Sequence, residues 1–315
     1  MGEEIHSAID FYNQHPISAE IVLAKLQQSR GHLDGLTPDD LLEHDQDHYG
    51  GTGATDALAR LAHIGEGTRV ADFCAGLGAS ARYLAHRYGA DVTGIELTPA
   101  RVAGAADLTR RVGLQDRVRV IEGNVMQVPL PDASMDAVIS QEAFLHVPDN
   151  ARTLAEAYRI LKPGGRVAFT TWVAPHPLSA ADRDLMWRGM AVASLHSLDE
   201  YGDLLQRAGF TVQSVEPDRR VGRDTDAAAR HVSQAALASA GGRHGGGARR
   251  LLRVLRSFRG SGDQGRAWRR AVRCEQGAIA QDRDRSTPAN GAIAVAIAPY
   301  ELRAIRTSPR SRQPG

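Results

Sequence analysis

Val70-Ala71-Asp72-Phe73-Cys74-Ala75-Gly76-Leu77-Gly78, followed by a helix-like run from Ser80 to Tyr88, reads as a buried strand that ends in an acid and turns through a glycine-spaced loop into a helix. Gly76 and Gly78 let the backbone of such a loop pass close to a bound cofactor. A Gly-x-Gly turn alone also fits a plain strand-to-helix connection. Outward from this unit the alternation repeats. Strands are predicted at Arg69–Phe73, Asp91–Glu96, Arg117–Glu122, Met135–Ser140, Gly165–Thr171 and Thr211–Glu216, and helices at Ser80–Tyr88, Pro99–Val112, Ala151–Leu161 and Leu198–Ala208. Gly89, the Thr98-Pro99 pair and Pro163-Gly164-Gly165 stand where helix ends require them. The pattern predicts an α/β fold, a Rossmann-like doubly wound parallel sheet, over residues 54–218.

A second acid, Glu96, closes the next strand 24 residues beyond Asp72. A carboxylate there can accept from both hydroxyls of a ribose, and equally it can be an acid drawn to a helix start by the dipole. A nicotinamide dehydrogenase uses a similar acid, so these two motifs leave the cofactor open.

The flanks differ from this core. In residues 1–53, Ile5–Gln28 and Pro38–Glu43 read as helices joined by a glycine-containing loop, a lid segment too small to fold alone. His44-Asp45-Gln46-Asp47-His48-Tyr49-Gly50-Gly51 concentrates ligand-type side chains just ahead of the core. His44 and His48 have helical spacing but lack a third ligand, so no metal site is expected. Residues 219–315 form an irregular Arg/Gly/Ala-rich region in which only Gly291–Ile297 looks like a strand. The overall charge of +1 hides a split: residues 1–218 hold 18 Lys and Arg against 30 acids, residues 219–315 hold 20 Arg against 7 acids. The basic region has no lysine, few aromatics and no nucleic-acid motif, which argues against a nucleic-acid partner; its abrupt composition also resembles a coding sequence read out of frame. Cys74 and Cys274 lie far apart with no CxxC pattern, no leader-like start is present, and no apolar run reaches the ~20 residues of a membrane span, so a cytoplasmic location is expected.

Asp72–Gly78, then Glu96, then Gly123-Asn124-Val125-Met126 ahead of Leu130-Pro131-Asp132, then Leu161-Lys162-Pro163-Gly164-Gly165, resembles in order and spacing the class I S-adenosylmethionine-dependent methyltransferases over about half the chain. Ser140-Gln141-Glu142-Ala143-Phe144-Leu145-His146 resembles the post-strand segment of the phosphoethanolamine and sarcosine/dimethylglycine N-methyltransferase branch, with Glu at 142 where Asp is usual. The resemblance implies S-adenosylmethionine as cofactor, with Asp72 and Gly76 on its methionine side, Glu96 at the ribose, Asn124 at the adenine amino group, and Cys74, Gly78, Leu97, Val125 and Gln141 also binding it. The family usually has Asp where Asn124 stands; an amide oxygen still accepts from an adenine amino group.

Methyl transfer from a sulfonium is an in-line displacement that needs an aimed, unprotonated nucleophile. For an amine acceptor His146 is the candidate base, though a packed histidine without a proton role fits the same position. Glu142 suits a cationic amine or solvent, and Tyr49 is the candidate lid residue, with Gln46 or His48 behind it. The expected function is methylation of a small molecule at an amine nitrogen. Methylation at carbon or oxygen of a specialised metabolite, and a non-catalytic cofactor-binding protein with a basic interaction arm, are the alternatives.

Overall fold

The computed structural model describes residues 2–13, 17–48, 50–174, 178–213 and 296–297. Tyr49, and nearly all of the basic region from 219 onward, therefore lie outside the described residues.

Helices α1 (Gly2–Asn13), α2 (Ala19–Arg30), α3 (Pro38–Leu41) and α4 (Gly51–Leu61) precede the sheet. Then follow β1 (Arg69–Phe73), α5 (Ala79–Tyr88), β2 (Asp91–Glu96), α6 (Pro99–Arg111), β3 (Val118–Glu122) and β4 (Met135–Gln141). A short 3₁₀ turn at Phe144–His146 leads to α7 (Asn150–Ile160), β5 (Leu161–Thr170), α8 (Ala180–Met190), α9 (Leu198–Arg207) and β6 (Ala296–Ile297). The strand order is β3-β2-β1-β4-β5-β6 and every pairing is parallel. Order reverses between β1 and β4, the switch point outside which open α/β sheets bind ligands.

Alternation along the strands sorts the two faces. Ala71, Phe73, Val138, Val167 and Phe169 pack with α7 and α9 through Leu154, Ala157, Ile160, Tyr201 and Leu205. Val70, Val92, Ala137, Ile139 and Ala168 turn the other way onto α4 and α5 through Leu58, Ala59, Ala81, Leu84 and Ala85. A third apolar cluster joins Val22, Leu26, Leu36 and Leu41 of the amino-terminal helices to Leu77, Leu108 and Val112. These helices are thus anchored beside α6 rather than standing apart.

Several expectations need correction. The single helix expected over Ile5–Gln28 is two, α1 and α2: Ser18, with extended backbone, caps α2 by accepting from the Ile21 amide at 3.3 Å. Pro38–Glu43 shortens to Pro38–Leu41 behind a Thr37/Asp40 capping box. Strand β5 starts at Leu161 rather than Gly165, because Leu161 pairs with Met135 across a register shift. Thr211–Gln213 carry no strand, and the rest of that expected strand is outside the described residues. Of Gly291–Ile297 only Ala296 and Ile297 are described; they pair parallel with Phe169 and Thr170.

Candidate functional site

The carboxyl ends of β1 to β4 open into one cavity of about 1060 Å³, counting the space at its mouth. Asp72, Cys74–Leu77, Ala79 and Ser80 come from the β1 turn, Ile95–Thr98 and Arg101 from β2 and α6, and Gly123–Met126 from the β3 end. Gln141–Ala143 and His146–Pro148 enter from β4, while Ala8 and Tyr12 of α1 with Asp45, Asp47 and His48 close the opposite wall. Of the candidate residues among those described, all but Gly78 and Gln46 line it. Gly78 instead starts α5 with φ +75°, and a Cβ there would stand 3.2 Å from Val120 and from Arg82, so its smallness serves helix packing.

Asp72 is 2% exposed, and its Oδ2 is buried with no hydrogen-bond partner. Desolvation, with Glu96 adding its charge, pushes the carboxyl up to about 8. The two oxygens of Glu96 are fixed by main-chain donors: Oε2 accepts from the Gly76 amide and Oε1 from the Thr98 amide, each at 2.9 Å. Second lone pairs stay available on both oxygens. Asn124 Oδ1 accepts from the Met126 amide at 2.9 Å, which holds the β3 loop tight. Cys74 sits at φ +60° and Glu142 at φ +51°, so the two strands that flank the switch point are each followed by a non-glycine residue with left-handed backbone. Desolvation, then Glu96 and Asp72, raise the Cys74 thiol far above its usual range, which keeps it protonated.

Gln141 works in a closed polar ring. Its Oε1 accepts from Thr55 Oγ1 at 3.1 Å and from the Ser80 hydroxyl, while its Nε2 lies 3.3 Å from His48 Nδ1. His48 Nε2 in turn lies 3.4 Å from Ser80 Oγ. If Gln141 Nε2 donates to Nδ1, the proton on Nε2 is left to donate to Ser80, and every polar atom of the ring is used.

His146 Nδ1 lies 3.1 Å from the carbonyl of Ala191, the left-handed cap that ends α8. A carbonyl only accepts, so Nδ1 carries a proton and Nε2 is the acceptor nitrogen of the neutral ring. The rings of Phe11 and Tyr12 pack on His146 with centroids at 6.2 and 5.3 Å.

Reading the chain alone overlooked what fastens the segment before the core. Asp45 and Arg82 form an ion pair at 2.8 Å with side chains 1% and 2% exposed. Asp47 binds Arg101 at 2.6 Å, and the Arg101 guanidinium lies 4.6 Å from the centre of the Tyr12 ring. The one signal available was the alternation of acids in Asp45-Gln46-Asp47. Arginines on amphipathic helices ordinarily read as solvent-facing. Among the described residues, no group of three or more His, Cys, Asp or Glu is arranged to hold a metal, and no helix is long and apolar enough to cross a membrane.

Residues 71–169 match a family described as a methyltransferase domain. Among curated relatives, the chain is 34% identical over 168 residues to 27-O-demethylrifamycin SV methyltransferase of Amycolatopsis mediterranei, covering 52% of this chain and 62% of that one. It is also 34% identical over 159 residues to glycine/sarcosine/dimethylglycine N-methyltransferase of Actinopolyspora halophila, covering 50% of this chain and 28% of the relative. The chain therefore spans less than two thirds of either protein. In fold it is similar to a Haemonchus contortus phosphoethanolamine N-methyltransferase solved with S-adenosylhomocysteine, at TM-score 0.57 and 20% identity over 79% of this chain and 55% of that one.

Proposed function

We propose, from the premise that this chain carries a class I S-adenosylmethionine-dependent methyltransferase domain, that it methylates a small molecule at an amine nitrogen. The observation that carries this reading is the convergence of Asp72, Glu96 and Asn124, from the ends of three adjacent strands, with Glu142 and His146 on one cavity. The cofactor fits the residues present: a buried, unpartnered Asp72 Oδ2 suits its ammonium, and an adenosine suits the oxygens of Glu96 and Asn124.

Bound S-adenosylmethionine supplies a sulfonium methyl as electrophile. Glu96 would accept from the ribose hydroxyls and Asn124 Oδ1 from the adenine amino group. Cys74, Leu97 and Val125 pack beside them, while Gln141 holds His48 and Ser80 against the cavity wall. On the acceptor side, Glu142 offers a carboxylate to a cationic amine, and Phe11 and Tyr12 keep water from the His146 ring. His146 Nε2 would take the N–H proton of the cationic amine first, which frees the nitrogen lone pair to accept the methyl group that bound S-adenosylmethionine would supply. An aimed base of this kind contributes about 10²- to 10⁴-fold in rate.

A hydroxyl acceptor is the second reading, favoured by the aromatic and apolar wall of Ala8, Tyr12, Val147 and Pro148. The same Nε2 takes the proton in either case.

Calorimetric titration with S-adenosylmethionine and S-adenosylhomocysteine tests the cofactor: affinity near micromolar, about −8 kcal/mol, is expected for the wild type and loss of at least about tenfold for Glu96→Ala. Product analysis with amine and phenol panels then identifies the acceptor atom. His146→Ala should lower kcat by about a hundredfold or more with cofactor affinity unchanged. A folded sample that binds neither nucleoside rules the reading out.

A further inference from the structure

Arg101 is the third residue of α6 and only 7% exposed, an unusual setting for a cation on a helix. Its Nη2 donates to Asp47 Oδ2 at 2.6 Å and lies 3.4 Å from the Ile17 carbonyl. Its Nε is buried without a partner, and its Nη1 makes no hydrogen bond among the described residues. Nη1 lies over Gly76, where a Cβ would approach it to 3.1 Å. The guanidinium thus occupies the cavity wall beside the β1 turn, under-bonded on the side away from Asp47. Buried charged donors are ordinarily satisfied, so an acceptor that arrives with a ligand accounts for the arrangement.

The opposite charge stands on the same turn. Asp72, four residues before Gly76, has its own unpartnered buried oxygen. An under-bonded guanidinium and a carboxyl with an unpartnered buried oxygen, on the two sides of one glycine-spaced loop, form a receptor for a zwitterion. Glu96 is held by the Gly76 and Thr98 amides, which leaves it to hydroxyls rather than to a second cation.

We propose that Arg101, oriented by Asp47 and stacked on Tyr12, binds the α-carboxylate of the cofactor's amino-acid end through Nη1, and so makes the site select the zwitterionic form of the nucleoside. The inference rests on the cofactor reading above. Arg101 is a specificity-determining residue and Asp47 a positioning residue.

The test compares S-adenosylhomocysteine with its decarboxylated analogue, which keeps adenine, ribose, thioether and ammonium and lacks only the carboxylate. Titration calorimetry on the full chain should give a wild-type preference of about tenfold or more for the carboxylated ligand. Arg101→Gln should reduce that preference to within about threefold by weakening only the carboxylated ligand, since a charge-assisted bond is removed. Because this substitution strands Asp47, the double variant Arg101→Gln/Asp47→Asn, checked by thermal unfolding, should lose the preference as well. Equal affinity of the wild type for both ligands overturns the proposal without any variant. Equal weakening of both ligands in either variant also overturns it, since that outcome assigns Arg101 to packing alone. A wild type that binds neither ligand removes the cofactor reading itself, and this inference with it.

Discussion

Asp72 is the residue whose chemistry is most open to measurement. Its carboxyl is raised from 3.8 to about 8 by burial and by Glu96, so the folded protein without ligand holds a proton there at neutral pH. Below pH 4 both the folded and the unfolded chain hold that proton. As pH rises the unfolded chain releases it first, so the group's contribution to stability falls from about pH 4 and levels off only above about pH 8. A ligand ammonium that pairs with Asp72 favours the carboxylate. Binding of S-adenosylhomocysteine at pH 7 should therefore release a proton, read as a binding enthalpy that changes with the ionisation enthalpy of the buffer. Asp72→Asn should abolish that buffer dependence; its persistence at full strength would assign the proton elsewhere. At this scale the sequence was readable where chemistry repeats a spacing: Asp72 and Glu96 end strands 24 residues apart and both line the cavity. Arg82 and Arg101 were not, because their partners Asp45 and Asp47 lie 37 and 54 residues away and only the folded chain joins them.

At the scale of elements, the segment between α3 and α4 is fastened at two points, to α5 through Asp45–Arg82 and to α6 through Asp47–Arg101. Removing one partner of a fully buried pair leaves the other charged and desolvated. Asp45→Ala should therefore destabilise the protein by about 3–5 kcal/mol in denaturant unfolding, while Arg110→Ala, on an exposed pair with Asp107, should change stability by no more than about 1 kcal/mol. Nearly equal values would show that the buried pair is reached by water. The strands at Arg69–Phe73 and Asp91–Glu96 have the bounds expected from their sequence. Helix α4 escaped notice: it begins Gly51-Thr52-Gly53, poor helix formers, and is held by burial of Thr55, Leu58 and Ala59 rather than by propensity. Helix α8 escaped for a similar reason, burying only Met186 and Met190.

For the molecule as a whole, one cavity collects residues from α1, the fastened segment and the ends of β1 to β4, so ligand binding should be felt well beyond the glycine loop. At a ligand concentration of about 100 times Kd the folded state gains about 2.7 kcal/mol. Hydrogen exchange should then slow in Gly2–Asn13 as well as in the β1 turn; protection confined to the turn would mean that α1 is not part of the binding unit. The parallel, doubly wound sheet was legible from strand–helix alternation, whereas the joining of α1 to the cavity depends on Ala8 and Tyr12, which nothing nearby in the chain marks out. The atom that fixes the proton of His146 is the main-chain oxygen of Ala191, and a main-chain oxygen is present whatever side chain stands at that position. Descendants of this chain are thus free to remodel α8 and the wall beside it while the imidazole keeps its tautomer, so the choice of acceptor and the handling of its proton are separately heritable.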